Sequence, residues 1–161
     1  MIDYGTGIGR LAKELIARFG CRVLGVDISQ EMRGLGPAYV ASDRFACVSP
    51  ELFGAMIRSG LRADAAISVW VLQHCAQPTQ DIDLLQSALR PGGDLFVVNN
   101  LHRAVPVRPE PGDRSVWASD GLDIGDLLRA RFELRAEGRL DPAVVGADVS
   151  QLTFWAAYRQ R

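Results

Sequence analysis

A glycine-rich turn stands near the start of the chain, and it is the feature that most narrows the possible folds. The first residues read MIDYGTGIGRLA, with alternating glycines behind an aspartate. The segment Arg10–Phe19 then carries its apolar residues at the spacing of one helical face. A short strand, a bare turn and an amphipathic helix in that order are typical of an α/β fold that binds a ligand at the turn.

The alternation of strand and helix continues along the chain. Apolar runs bounded by polar or glycine residues predict seven strands, over Ile2–Tyr4, Arg22–Val26, Arg44–Val48, Asp64–Trp70, Leu95–Val98, Phe132–Gly138 and Leu152–Tyr158. Helical spacing predicts helices over Arg10–Phe19, Pro50–Ser59, Thr79–Leu89 and Gly121–Arg131. A further short helix is predicted to be capped by Ser29 and broken at Gly34, Gly36 and Pro37. The segment Arg90–Gly93 predicts a helix stop and a turn.

This order of elements predicts a single domain over residues 1–161 with a doubly wound, mostly parallel α/β sheet. The last two strands follow each other without a predicted helix, so we expect them to pair antiparallel. The polar, proline-rich stretch Asn99–Asp120 is the longest segment without predicted structure. Long loops of this kind in compact domains usually carry function.

Composition excludes several functional classes. The formal net charge of the 161 residues is -1, with acids and bases interspersed, which argues against nucleic acid and against an anionic membrane as partners. The chain shows no signal peptide or transmembrane run, so a cytoplasmic location is expected. The three cysteines are scattered beside apolar residues, as buried thiols are. His74 and Cys75 are adjacent in the sequence, and adjacent residues are poor ligands for one metal ion. His102 is the only other histidine, so no metal site is expected.

Asp27 and Asp3 indicate the class of ligand. Asp27 ends the second predicted strand about 20 residues beyond Gly5, where an acid accepts hydrogen bonds from a ribose. The stretch from Gly7, GIGRLA, also fits a dinucleotide fingerprint. A carboxylate at Asp3, however, would repel the pyrophosphate of a dinucleotide. S-adenosylmethionine carries an ammonium and a sulfonium instead, so Asp3 favours that cofactor and is expected to face its amine.

Four motifs in order carry a resemblance to a known family. The motifs are IDYGTGIGR after Met1, LGVDIS at 24–29, AAISVWVLQH at 65–74 and LRPGGDLFVV at 89–98. Together they resemble class I S-adenosylmethionine-dependent methyltransferases, and the final strand pair resembles the reversed hairpin of that family. The resemblance implies a Rossmann-like sheet of order 3-2-1-4-5-7-6 with an antiparallel last strand, and methyl transfer to an oxygen or nitrogen of a small-molecule acceptor.

The resemblance also implies roles for individual residues. Gly5 and Gly7 would line the methionine portion of the cofactor, Asp27 would bind the ribose hydroxyls, Ile28 would pack on the adenine, and Val69 and Trp70 would contact the cofactor at the end of the fourth strand. Trp70 has an alternative reading as plain core packing. The residue that flanks the adenine after the third strand is open among Asp43, Ser49 and Glu51.

Acceptor chemistry is predicted from position alone. His74 follows the fourth strand and is the candidate general base, with backbone hydrogen bonding as its alternative role. Asn99, Asn100 and His102 follow the fifth strand, where acceptor loops lie in this fold, and are the candidate substrate contacts.

The start of the sequence raises a further expectation. The family usually has helices before the first strand, and here the chain begins inside that strand, so the first strand is expected to be truncated. A second subunit is then a candidate cover for the exposed edge, as a homodimer. Two other functions stay open: a non-catalytic module that binds a cofactor or a partner, and a nicotinamide-dependent oxidoreductase.

Overall fold

A seven-stranded sheet organises the computed structural model, which describes residues 1–107 and 116–161. The strands of the described residues are β1 Ile2–Tyr4, β2 Val23–Val26, β3 Phe45–Val48, β4 Ala63–Val69, β5 Leu89–Asn100, β6 His102–Pro106, β7 Trp117–Asp123, β8 Phe132–Gly138 and β9 Thr153–Gln160. The helices are α1 Arg10–Phe19, α2 Gln30–Val40, α3 Pro50–Arg58, α4 Pro78–Ala88, α5 Ile124–Arg129, α6 Pro142–Val145 and α7 Ala147–Leu152. A 3₁₀-helical turn, Leu72–His74, joins β4 to α4.

The strand order is β3-β2-β1-β4-β5-β9-β8, with β6 and β7 forming a separate two-stranded sheet. The pairs from β3 to β5 are parallel, whereas β9 is antiparallel to both of its neighbours. With β8 and β9 counted as the sixth and seventh strands, this confirms the predicted order 3-2-1-4-5-7-6. The short strand β1 lies at the centre, where Ile2 is in register with Leu24 on one side and Ala66 on the other.

The main core lies between the sheet and helices α3, α4 and α5. Alternate residues of β5 and β9 point into it, and Leu95, Val97 and Tyr158 are fully buried. Ile82 and Leu85 of α4 are buried against them, as the helical spacing predicts. This packing positions the carboxyl ends of β1, β2 and β4 side by side, which is where a parallel sheet binds its ligands.

Helix α2 is longer than predicted. It runs without interruption through Gly34, Gly36 and Pro37 to Val40, so the predicted break is wrong. Gly36 is buried close to the ring of Phe45, and a Cβ there would lie 3.2 Å from that ring. Close packing on β3 therefore outweighs the poor helix propensity of these residues.

The stretch predicted to lack structure contains a hairpin. Strands β6 and β7 pair antiparallel within Asn99–Asp120 and its flank, while residues 108–115 of that stretch lie outside the described residues. The polar, proline-rich composition of this stretch did not predict strands, because these strands are stabilised mainly by pairing with each other. The structure differs from the prediction in further, smaller ways. Helices α6 and α7 lie between β8 and β9, and α4 begins at Pro78. The helix predicted over Gly121–Arg131 is shorter, because β7 extends to Asp123 and α5 spans Ile124–Arg129. The RPGG segment lies within β5, at an irregularity of its register with β4, rather than in a turn before it.

Within the described residues, the structure contains no helix that is long and apolar enough to cross a membrane.

Candidate functional site

A cavity of about 670 Å³ opens at the carboxyl ends of β1, β2 and β4. This volume is within the range of small-molecule sites. Its walls come from the ends of these strands, the first turn of α3, the 3₁₀ turn and the start of α4. The lining residues are Tyr4, Gly5, Val26, Asp27, Ile28, Pro50, Glu51, Trp70, Val71, His74, Cys75, Ala76, Gln77, Gln80 and Asp81.

The glycine turn forms one wall of the cavity. The N–H groups of Gly5 and Thr6 both donate to the carbonyl oxygen of Val26, at 2.7 and 3.1 Å, so the turn is tied to the end of β2. Gly5 has a φ of +79°, and a Cβ at this position would overlap the side chain of Val71. Only glycine therefore satisfies both the backbone conformation and the space beside the cavity.

Asp27 lies between the glycine turn and the start of α2. One carboxylate oxygen accepts from the N–H of Gly7 at 2.7 Å, and the other accepts from the N–H of Ser29 at 2.8 Å. Each oxygen has a second lone pair, so the carboxylate can still accept hydrogen bonds from a ligand. Gly7 itself is not among the lining residues, and its contact with Asp27 orients the carboxylate.

Asp3 is 2% exposed and lies behind the turn rather than in the cavity wall. Its carboxylate accepts from the hydroxyl of Thr6 at 2.7 Å and from the backbone N–H of Ala12. Burial raises the pKa of Asp3 to about 6, although these two hydrogen bonds act in the opposite direction. Asp3 braces the turn against α1, and the cofactor contact predicted for it stays a prediction.

Trp70 lines the cavity in a left-handed backbone conformation, with a φ of +62°. Its N–H donates to the carbonyl oxygen of Val98 at 2.8 Å, which keeps it paired to β5. The side chain is 38% exposed, so it is not plain core packing. A bulky residue with positive φ is strained, and such strain is concentrated at functional sites. The preceding residue, Val69, is half-buried and does not line the cavity.

Ile28 and Glu51 line the cavity beyond the ends of β2 and β3. The side chain of Ile28 is 86% exposed although it is aliphatic. Of the three residues left open after the third strand, Glu51 lines the cavity, whereas Asp43 and Ser49 do not. A hydrogen bond with Ser49 is the main cause that holds the pKa of Glu51 below its ordinary value.

Sequence reasoning missed a pair that ties β1 to α4. The hydroxyl of Tyr4 donates to the carboxylate of Asp81, and both residues line the cavity. Burial is the main cause that raises the pKa of Tyr4, and the contact with Asp81 is the next largest cause. Burial also raises the pKa of the nearby Cys75 thiol to about 12, so Cys75 is a poor nucleophile at neutral pH. The available signal was the spacing of Gln80 and Asp81, three and four residues after Gln77, the residue that precedes α4. This spacing places polar side chains on one face at the start of that helix.

His74 lies in the cavity wall and belongs to a network that reaches β5. Its ring meets the ring of Trp117 edge-on, with centroids 4.7 Å apart. The neighbouring Gln73 is hydrogen-bonded to both asparagines at the end of β5. Asn99 is fully buried and Asn100 half-buried, and neither lines the cavity.

The hairpin β6–β7 is held against the 3₁₀ turn by Arg103. Its guanidinium donates to the carbonyl oxygen of Ala76 at 2.7 Å and forms an ion pair with Asp120 across the hairpin. His102 is exposed at the base of the hairpin, in register with Asp123, and is outside the cavity lining. The substrate contacts predicted for Asn99, Asn100 and His102 therefore stay predictions.

The part of the chain that the structure describes contains no group of three or more His, Cys, Asp or Glu residues placed to hold a metal ion.

Comparison with known proteins gives a family and several relatives. A family profile described as methyltransferase domain matches residues 1–130. Among curated proteins, the chain is similar to a ubiquinone biosynthesis O-methyltransferase of Sinorhizobium medicae (strain WSM419), at 28% identity over 165 residues. The match covers 82% of this chain and 63% of that protein, so the chain spans less than two thirds of the length of this curated relative.

Solved structures share the fold at lower identity. The N-methyltransferase NodS from Bradyrhizobium japonicum WM9, in complex with S-adenosyl-L-homocysteine, matches with a TM-score of 0.71 at 13% identity, over 99% of this chain and 76% of that chain. The cyclase SpnF matches with a TM-score of 0.72 at 19% identity, over 99% of this chain and 74% of that chain. At these identities the likeness shows the fold alone.

Proposed function

We propose, since the chain belongs to the family of methyltransferase domains, that it binds S-adenosylmethionine in the cavity and transfers the methyl group to an oxygen or nitrogen atom of a small molecule. The observation that carries the proposal is the meeting of Gly5, Asp27, Ile28 and Trp70 in one cavity wall. When bound, the cofactor supplies an activated methyl group, so the protein's main task is to bind and orient.

The residues present fit this cofactor. The bare backbone at Gly5 allows close approach of its methionine portion, and the oriented carboxylate of Asp27 suits the ribose hydroxyls. The exposed aliphatic side chain of Ile28 offers an apolar face for the adenine, with Glu51 as an acceptor for the adenine amine. Gly7 and Asp3 contribute through the shape of the turn, because neither lines the cavity.

The charge of the cavity supports a positively charged ligand. Three carboxylates line it, from Asp27, Glu51 and Asp81, and no lysine or arginine of the described residues does so. A cofactor with a sulfonium and an ammonium is attracted by such walls, whereas the pyrophosphate of a dinucleotide is repelled. This balance also disfavours an anionic acceptor such as a phosphate ester.

We propose that the acceptor binds between Trp70, His74 and the start of α4, which line the same cavity. The curated relative is an O-methyltransferase by name, which supports an oxygen atom as the methyl acceptor. Asn100 and His102 are proposed acceptor contacts at the hairpin side, and Asn99 supports them from within the fold. His74 is the imidazole of the described residues that lines the cavity, and its role depends on the hydrogen bond at its Nε2.

Calorimetric titration with S-adenosylhomocysteine tests the cofactor site, with NAD as the control ligand. We expect micromolar binding of the former and none of the latter. Asp27→Ala should weaken binding by about 10- to 100-fold, because a hydrogen bond to a charged group contributes about 1.5–3 kcal/mol. Ser29→Ala is the matched control, since it removes the N-cap of α2 beside Asp27 without a cavity-lining side chain. Binding of NAD, or unchanged affinity in Asp27→Ala, contradicts the proposal.

An apolar face of the sheet supports the homodimer that the sequence suggests. Phe96 is 40% exposed and stacks on Trp155, beside a shallow cavity of about 230 Å³ that includes Met1 and Ile67. We propose that a second copy packs there. Light scattering of Phe96→Ser against the unchanged protein tests this, since a dimer through this face should become a monomer in the variant.

A further inference from the structure

Gln73 is a buried polar side chain beside the cavity. It lies in the 3₁₀ turn and is 3% exposed. Its backbone N–H donates to the Oδ1 of Asn99 at 3.2 Å, and its Oε1 accepts from the backbone N–H of Asn100 at 2.9 Å. Its Nε2 lies 3.3 Å from the Nε2 of His74. Both the oxygen and the nitrogen of the Gln73 amide thus have a partner.

The Asn100 contact decides which amide atom faces His74. A backbone N–H can only donate, so the Gln73 atom beside Asn100 must be the carbonyl oxygen. The amino group of Gln73 therefore faces His74, and an amide NH₂ can only donate. The Nε2 of His74 must accept, which requires an unprotonated nitrogen there. A neutral imidazole with Nε2 as acceptor carries its proton on Nδ1.

We propose that Gln73 is a positioning residue that holds His74 as the Nδ1–H tautomer, so that the ring offers a hydrogen-bond donor to a ligand in the cavity. The edge contact with Trp117 holds the plane of the ring. Within the described residues Nδ1 has no hydrogen-bond partner, which leaves it for an oxygen or a pyridine-type nitrogen of the ligand. The ligand contact rests on the proposed function, whereas the tautomer does not.

This assignment changes the role predicted for His74 as a general base. The one lone pair of the neutral ring is at Nε2, where the amino group of Gln73 uses it. In the Nε2–H tautomer two donors would face each other and the hydrogen bond from the Gln73 amino group would be lost, which favours the Nδ1–H tautomer. His74 consequently orients the ligand by donating a hydrogen bond, rather than acting as a general base that removes a proton.

Nitrogen NMR of the histidine side chains tests the tautomer without any ligand. The chain has only two histidines, His74 and His102. Long-range proton–nitrogen spectra at about pH 8.5, where an ordinary imidazole is neutral, should show one ring in the Nδ1–H form and one in the Nε2–H form that exposed imidazoles favour. The His102→Gln variant should retain the Nδ1–H signals, which assigns them to His74. An Nε2–H pattern for His74 overturns the proposal.

Two variants of Gln73 sharpen the test. Gln73→Glu keeps the acceptor for Asn100 and replaces the amino group by an oxygen, so the proton of His74 should move to Nε2. Gln73→Met removes both groups, so His74 should return to the Nε2–H form expected of His102. A persistent Nδ1–H pattern in either folded variant contradicts a positioning role for Gln73. If both variants unfold, the spectrum of the unchanged protein still decides the tautomer.

Titration with S-adenosylhomocysteine then identifies which ligand accepts the hydrogen bond from the Nδ1–H group of His74. If calorimetry shows binding and the Nδ1 signals of His74 shift, the donor faces the cofactor. If binding occurs and those signals stay in place, the donor is left for the methyl acceptor. Absence of binding contradicts the proposed function and leaves the tautomer assignment standing.

Discussion

The two sides of the cavity are built in different ways. The side that we propose for the cofactor, called the cofactor side, consists of the glycine turn, Asp27 and the start of α3. Most of its contacts join residues close to the ends of adjacent parallel strands. The hairpin side consists of the 3₁₀ turn, the end of β5 and the hairpin β6–β7. Its contacts join segments far apart in the chain, such as Arg103 to Ala76 and Gln73 to Asn100.

The cofactor side is shaped mainly by backbone conformation, whereas the hairpin side is held together mainly by side-chain contacts. On the cofactor side, backbone conformation itself shapes the wall, as at Gly5, and a single added atom collides with Val71. On the hairpin side, individual side chains connect elements that are distant in the chain. We therefore expect substitutions on the first side to affect both binding and global stability, and those on the second side to open the structure locally.

The largest expected effect is at Gly5. Gly5→Ala should destabilise the fold by about 2–5 kcal/mol, because left-handed strain costs about 1–2 kcal/mol and overpacking about 1–3 kcal/mol. It should also abolish S-adenosylhomocysteine binding. Gly7→Ala is the matched control, with a φ of +56° and nothing within 4 Å of an added Cβ, so only the strain cost applies. Denaturant unfolding and calorimetry measure both, and equal effects in the two variants contradict the role of Val71.

A smaller effect is expected from the charge of Asp3. Its pKa is raised to about 6 in the folded protein, so between about pH 4 and pH 6 the folded state holds a proton that the unfolded state has lost. The free energy of unfolding therefore falls as pH rises through this window. The loss is about 3 kcal/mol at most, since one pKa unit corresponds to about 1.4 kcal/mol.

The Asp3→Asn variant isolates this contribution, because a side-chain amide at this position cannot ionise and all other groups are shared. Urea unfolding at several pH values should give curves whose difference changes between about pH 4 and pH 6 and is constant above that window. A pH-independent difference between the two proteins contradicts the raised pKa of Asp3.

The smallest global effect is expected at Arg103. Arg103→Ala should lower the free energy of unfolding by less than about 1 kcal/mol, as for other ion pairs near the surface. Amide hydrogen exchange should become faster in β6 and β7 and stay unchanged in β1 to β4. Arg159→Ala removes an ion pair with Asp94 outside the hairpin and serves as the control. Faster exchange throughout the sheet would show that the hairpin is not an independent unit.

The same division explains how much the sequence predicted. The family and the sheet order are confirmed, because glycines, the acid after β2 and continuous apolar strands are local signals of a parallel sheet. The hairpin β6–β7, the uninterrupted helix α2 and the helices before β9 were not predicted. The uninterrupted helix α2 depends on the packing of Gly36 against Phe45 of β3, a contact that helix propensity alone does not predict.

Site residues also divide into those that motif positions predicted and those that only the fold brings together. Gly5, Asp27, Ile28 and Trp70 were predicted from motif positions, and the structure brings them to one cavity. The partners of Asp3 and the bond from Tyr4 to Asp81 depend on which way side chains point from a strand and a helix that meet only in the fold. The spacing of Gln77, Gln80 and Asp81 indicates a polar face, but it does not show which residue of β1 that face meets.

The sequence by itself determined the parallel sheet and the ligand-binding edge, because backbone conformation at glycines and burial of apolar strands are properties of short segments. Only the tertiary structure decided what the polar groups at that edge can do. Gln73 and His74 are neighbours in the chain, but the hydrogen bond from the distant Asn100 orients the Gln73 amide, and the tautomer proposed for His74 follows from that orientation.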